Sequence, residues 1–160
     1  MALYSSKTKC MLISNKQMSR IHNLDEQLLP ISCGDTPLER TFCTKLLGVY
    51  MDQHLMWVDQ VNNLLSSCYG TLTVLRRLKN LAPFQVRKTL TESLVLAEIV
   101  YASTVFYPLP QCQLKQLQRL QNASAGFILR KIPKTNDLKY LNWLPVIGSI
   151  EFSLMKVTHA

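Results

Sequence analysis

The spacing of apolar residues changes at Trp57, and that change limits the chain to a short β part followed by a helical bundle. From there Trp57, Val61, Leu64, Leu65, Cys68, Leu72, Leu75 and Leu78 recur at three- and four-residue steps, the pattern of an amphipathic helix. Asn80 and Pro83 punctuate its end, and Pro83 suits the first turn of a second helix. The second helix is expected to reach about residue 106, with Phe84, Leu90, Leu94, Val95, Ile99, Ala102 and Val105 facing inward. Pro108-Leu109-Pro110 breaks the chain before a third helix over 111–131, which presents Leu114, Leu117, Leu120, Ala123, Phe127 and Ile128. A short helix around 137–142 and a last one from Ser149 complete the set.

The earlier residues carry strand signals instead. Cys10-Met11-Leu12-Ile13 is a short apolar run, and residues 28–32 and 40–50 are two more. Gly34, Asp35 and Pro37 between the latter two are turn formers, so those two runs are expected to pair as a hairpin. Residues 14–26 are polar and read as loop. The expected fold class is therefore α+β, with short antiparallel strands over residues 1–53 and an α-helical bundle over 54–160. Of 160 residues, 48% are apolar, enough for a real core rather than a disordered tail.

Charge is unevenly distributed. Residues 1–56 hold 6 basic and 5 acidic side chains, whereas residues 57–160 hold 12 and 5. Almost all of the positive field thus belongs to the helical part, and such an excess favours polyanions. The five cysteines are scattered without a C-x-x-C pair or a histidine at ligand spacing, so no zinc site is expected. Their odd number, with no secretory signal, implies reduced thiols in an intracellular protein. The longest apolar stretch, residues 94–110, contains Glu98 and is shorter than the roughly 20 residues of a membrane span.

Candidate catalytic groups fail on chemical grounds. Tyr50-Met51-Asp52-Gln53 has three letters of a polymerase Tyr-x-Asp-Asp turn, but Gln53 stands where the second carboxylate would be. Metal-assisted nucleotidyl transfer needs several carboxylates converging on the ions. Asp52 is therefore expected to be a strand-end residue on the way into a helix. His22, His54 and His159 are isolated, Asp25-Glu26 reads as a solvated loop pair, and Asn122-Ala123-Ser124 is a glycosylation sequon inside an expected helix. No metal ligands and no catalytic set are expected.

The basic residues remain. Arg76, Arg77 and Lys79 end the first long helix, while Arg87 and Lys88 lie just inside the next. They flank one bend and can share one patch. Lys115 and Arg119 are one turn apart, and Arg130, Lys131 and Lys134 cluster beyond them. Cations at the ends and outer face of a rigid bundle suit phosphate-backbone contacts, although the helix dipole also favours some of them.

Taken in order, the motifs resemble a known family. Ser6-Lys7-Thr8-Lys9-Cys10-Met11-Leu12-Ile13 is similar to the lysine-threonine segment that follows the catalytic turn in LINE-type (non-LTR) retrotransposon reverse transcriptases. Leu46-Leu47-Gly48-Val49-Tyr50-Met51-Asp52 is similar to that family's Leu-Gly-Val-x-x-Asp element. Leu75-Arg76-Arg77-Leu78, Val86-Arg87-Lys88-Thr89-Leu90, Tyr101-Ala102-Ser103 and Tyr107-Pro108-Leu109-Pro110 follow. Leu117-Gln118-Arg119-Leu120-Gln121-Asn122-Ala123 and Leu141-Asn142-Trp143-Leu144-Pro145-Val146 close the match, which spans essentially the whole chain.

The resemblance implies that the strands are the last edge of a polymerase palm and the helices its thumb. Lys7, with Lys9 as runner-up, would lie near the departing pyrophosphate. Leu47, Gly48, Val49 and Tyr50 would form a primer grip, and Arg76, Arg77, Arg87 and Lys88 would track an RNA template–DNA primer duplex. The family's magnesium-binding Asp pairs lie upstream of the lysine-threonine segment. The expectation is thus a C-terminal piece of an RNA-directed DNA polymerase, a truncated element copy or partial gene model, whose partners include the palm and fingers that precede it. The strand pair would then leave an apolar patch exposed. A contrasting expectation is a helical protein-interaction module, or a domesticated relic, whose cations merely solvate the bundle. Neither reading places the chain in a membrane.

Overall fold

The break in apolar spacing at Trp57 falls close to the division between two compact units of the chain, Met1–Asp59 and Gln60–Ala160. The computed structural model describes residues 8–26, 31–33, 36–78, 80–101, 103–132 and 135–158. The architecture is mixed α+β, with short strands first and a helical C-terminal region. No helix among the described residues is long and apolar enough to cross a membrane.

In the first unit, β1 (Lys9–Cys10) pairs with β4 (Glu39–Arg40) in register Lys9↔Glu39 and Cys10↔Arg40. This pair is parallel, which corrects the all-antiparallel expectation. Parallel neighbours need a connection of about a dozen residues or more, and the intervening chain supplies it with α1 (Lys16–Ile21), β2 (Ser32–Cys33) and β3 (Thr36–Pro37). Helix α1 lies where a loop was expected. The Asn15 side chain accepts a hydrogen bond from the Gln17 N–H at 2.9 Å, an N-cap that satisfies one orphan donor of the first turn.

β2 and β3 pair antiparallel, and so do β5 (Cys43–Leu46) and β6 (Val49–Asp52). The single strand expected over 40–50 is therefore two arms of a hairpin that turns at Leu47-Gly48. Both turn residues have positive φ, 48° and 88°, as a two-residue type I′ loop requires. Gly48 takes this conformation freely, while a leucine there is strained by roughly 1–2 kcal/mol. Leu46 and Leu47 are 59% and 85% exposed, so the hairpin tip presents apolar side chains to solvent.

The second unit is built around a continuous core. Helix α2 (Val58–Arg77) buries Val61, Leu64, Cys68, Leu72 and Leu75, five positions of the predicted stripe, and leaves Leu78 beyond its end exposed. The second helix departs from expectation. It consists of α3 (Phe84–Thr91), a π-helical segment Glu92–Leu96 and α4 (Ala97–Val100), and it stops short of Val105.

Its buried residues are Arg87, Thr91, Val95 and Ile99, each four positions apart. On a regular helix such a row drifts by about 40° per step, and the wider π turn takes up part of that drift. Phe84, Leu94 and Val105, expected inside, are more than a third exposed. Ala102 lies outside the described residues.

Helix α5 (Gln111–Leu129) runs through the unit with Leu117, Leu120, Phe127 and Ile128 buried. It is followed by α6 (Thr135–Tyr140) and α7 (Val146–Thr158). Two glutamines of α5 hold the chain between the last helices. Gln121 Nε2 donates to the Leu144 carbonyl at 2.8 Å, and Gln118 Oε1 accepts from the Val146 N–H at 3.0 Å. The second bond caps the N-terminus of α7. The paired motifs around Gln118–Gln121 and Leu141–Val146 are thus two sides of one packing contact.

Candidate nucleic-acid interface

The cations at the ends of α2 and α5 converge. Arg76, Arg130 and Lys131 line an open groove of about 540 Å³ together with Ala123, Gly126, Phe127 and Ile132. Local structure explains each position. Arg76 sits in the last turn of α2, where a cation meets the negative end of the helix dipole. Arg130 terminates α5 in the left-handed conformation, φ 56°, and so turns the chain and carries Lys131 to the same side. Ala123 and Gly126, three residues apart on α5, leave little side-chain bulk in the groove. Ala123, expected among the inward apolar positions of this helix, instead lines the open groove.

Lys115 and Arg119 are exposed on α5. With Ala123 and Gly126 they succeed one another at three- and four-residue steps, so they share one side of the helix. The row from Lys115 to Arg130 extends over about 22 Å of helix axis. Arg77 is exposed beside Arg76. Lys131 makes an ion pair with Asp137 at 2.7 Å while half its side chain stays exposed.

Two predicted contacts do not belong to this surface. Arg87 is only 5% exposed. Its guanidinium donates through Nε and Nη2 to the Ile128 carbonyl, at 3.2 and 2.8 Å, and through Nη1 to the Ala82 carbonyl. It satisfies an orphan acceptor in the last turn of α5 and cannot reach a phosphate from there. Burial, and secondarily the neighbouring Arg130, push its pKa below the usual arginine range. Lys88 is largely withdrawn and lies 3.8 Å from Glu92, whose carboxylate also accepts from Trp143 Nε1 at 2.8 Å. Lys79, Lys134 and Lys7 lie outside the described residues.

In the first unit, Lys9 forms an exposed ion pair with Glu39 at 3.0 Å. Leu47, Gly48, Val49 and Tyr50 run from the hairpin turn into β6, with Val49 buried and Lys45 Nζ 5.0 Å from the centre of the Tyr50 ring. Asp52 ends β6, as expected. Its Oδ1 accepts the N–H of His54 and Met56, and its Oδ2 that of Trp57, at 2.9–3.2 Å. Leu55 and Trp57 have positive φ, and Asp52 gathers the N–H groups that this curled segment presents.

The same unit holds a polar network that the sequence did not announce. Asp25 Oδ1 accepts from Ser19 Oγ at 2.7 Å and from Gln53 Nε2 at 2.8 Å. The Ser19 hydroxyl, with a lesser contribution from the Gln53 amide, holds the Asp25 carboxyl below its ordinary range against the opposing effect of burial, which is weaker than that of Ser19 alone but stronger than that of Gln53. His54 Nδ1 lies 3.0 Å from the Ser14 carbonyl. A carbonyl only accepts, so Nδ1 carries the proton and Nε2 accepts from Gln53, 3.1 Å away. Gln53, next to Asp52, is thus a structural brace.

Magnesium chemistry finds no fitting donor set here. Among the described residues no three His, Cys, Asp or Glu side chains are grouped to hold an ion, and Asp52 is occupied by backbone N–H groups. Compared with known proteins, the chain matches no family model, no curated protein and no solved structure.

Proposed function

We propose that this chain grips nucleic acid as the palm edge and thumb of a retrotransposon-type reverse transcriptase. The observation that carries the reading is the convergence of Arg76, Arg130 and Lys131 on one open groove with a small-residue wall. Fixed cations beside low side-chain bulk suit the close approach of a phosphodiester backbone. The exposed Lys115 and Arg119 extend the positive track along α5. In this reading the partner is an RNA–DNA hybrid, the Leu47-Gly48 hairpin faces the primer, and other palm segments of the polymerase supply the magnesium-binding carboxylates.

The test is binding of an RNA–DNA hybrid by the purified chain across a salt series, with primer extension run alongside. Each phosphate contact contributes roughly −0.9 to the slope of log affinity against log salt. Replacing Arg76 and Arg130 with alanine should therefore flatten that slope by roughly 2, whereas Arg87→Met should leave it unchanged. Absence of binding at low salt would reject the proposal, and primer extension by the chain alone would overturn the view that it lacks the catalytic carboxylates.

Exposed apolar side chains on α7 support a second reading. Ile147, Phe152, Met155 and Val157 are between 43% and 67% exposed, more apolar surface than a simple solvated helix needs. A helical interaction module would use these side chains, and it predicts a protein complex that persists at high salt.

A further inference from the structure

The end of the helical unit that holds the cationic groove also carries an open aromatic pair. The Phe84 and Tyr140 rings meet edge to face, with centroids 6.3 Å apart and planes at 63°. Tyr140 is 71% exposed and Phe84 38% exposed. An aromatic ring held by a neighbour on one edge, with most of its surface in water, has been ordered in advance without being buried.

A closed circuit of contacts sets this pair beside the groove. Phe84 begins α3, one turn before Arg87, which is bonded to the Ile128 carbonyl of α5. Arg130 and Lys131 follow Ile128 directly. Lys131 is bonded to Asp137, one turn before Tyr140 on α6, and Tyr140 returns to Phe84. Lys139, next to Tyr140, is exposed and adds a further cation.

We infer that Tyr140, braced by Phe84, is a stacking platform for an unpaired nucleotide at the end of a duplex whose backbone occupies the Arg76–Arg130–Lys131 groove. This inference rests on the nucleic-acid reading above. Positive charge selects an anionic ligand, and an exposed aromatic face beside that charge selects the flat base of a single strand, which stacks without regard to sequence. A fully paired duplex has no free base face at its flank, so the platform distinguishes a frayed or overhanging end from a continuous one.

The experiment compares a blunt RNA–DNA hybrid with the same hybrid carrying three unpaired nucleotides, using the full chain. The overhang should tighten binding by about tenfold, the scale of one stacked base. Tyr140→Ala should remove that gain and leave blunt-end affinity unchanged, Tyr140→Phe should keep it, and Arg76→Ala should weaken both hybrids alike. Equal binding of the two hybrids by the native chain, or a gain that survives Tyr140→Ala, overturns the platform while leaving duplex binding intact. Failure to bind either hybrid instead rejects the nucleic-acid reading itself. Phosphatidylserine vesicles are the contrasting probe. If Tyr140→Ala abolishes vesicle binding and spares the overhang gain, the surface is a lipid contact and the inference falls.

Discussion

The two units are held by different physics. The second buries a row of aliphatic and aromatic side chains from several helices, with Leu72, Leu117, Leu120, Ile128 and Ile150 fully enclosed. Among its described residues the first has three separate two-stranded sheets, and its buried residues include Ser19 and Gln53 as well as Val49 and Trp57. Two-stranded sheets are marginal alone in water. Directional contacts therefore carry much of the order there, through the Asp52 carboxylate and the Ser19–Asp25–Gln53–His54 network. Apolar burial tolerates local change by partial collapse. A polar network fails when one donor or acceptor loses its partner.

The largest effect expected is in the helical core. Leu120→Ala should destabilise the second unit by about 3–4 kcal/mol through lost burial and a residual cavity, measured by urea unfolding followed by far-ultraviolet circular dichroism. A loss under 1 kcal/mol would mean that this core is loosely packed and that the contrast between the units is overstated.

Arg87→Met comes next. It preserves bulk but strips the Ile128 and Ala82 carbonyls of their donor, so a loss of about 2–3 kcal/mol is expected. An unchanged or raised stability would show that a polar brace inside the helical unit is dispensable, as buried ion pairs sometimes are.

In the first unit, Asp52→Ala should cost about 2 kcal/mol, the upper end of a capping interaction. Hydrogen exchange should then quicken at residues 54–57 without reaching α5. If α5 loses protection equally, the units do not open independently.

Acid sharpens the comparison further. Asp25 has a folded pKa below its unfolded value, so the stability it confers is complete above about pH 4. It is lost as pH falls through the lowered folded value. Exchange protection of residues 16–26 should drop in that window, and Ser19→Ala should move the drop to higher pH. A drop at the same pH in the variant would exclude Ser19 as the chief cause.

The smallest effect concerns thiol reactivity. Burial, with Glu98 beside it, pushes the Cys68 thiol up to about 12. Cys68 should resist iodoacetamide at pH 8.5 while the exposed Cys112 is alkylated. Labelling of both at one rate would reveal frequent opening of the helical core.

Much of the helical unit was legible in the sequence because a 3.6-residue period records which face of a helix is apolar. The α2 stripe, the Pro110 start of α5 and the separation of strands from helices all follow from that record and from proline and glycine. The place of Asp52 at a strand end was also legible, whereas its capture of the His54, Met56 and Trp57 N–H groups was not. Helix α1 was missed because six residues carry too little periodicity, and its Asn15 cap looks like any polar loop residue. The hairpin at Leu47-Gly48 was expected only through the family resemblance, as a primer grip; the apolar pattern alone read 40–50 as one run, because a leucine seldom adopts positive φ.

By itself the sequence determined how many cations the helical part carries and at which helix ends they fall. Only the tertiary structure decided which of them meet solvent. Arg76 and Arg87 look alike in the chain, each a basic residue near the same bend. Yet Arg76 lines an open groove, while Arg87 lies against the Ile128 and Ala82 carbonyls. The reason is that a guanidinium follows the strongest acceptors within reach: one is the Ala82 carbonyl just before α3, and the other is the Ile128 carbonyl of α5, a helix that begins more than twenty residues further along. A local pattern specifies which charges are available, but their partners are set by the packing of distant segments.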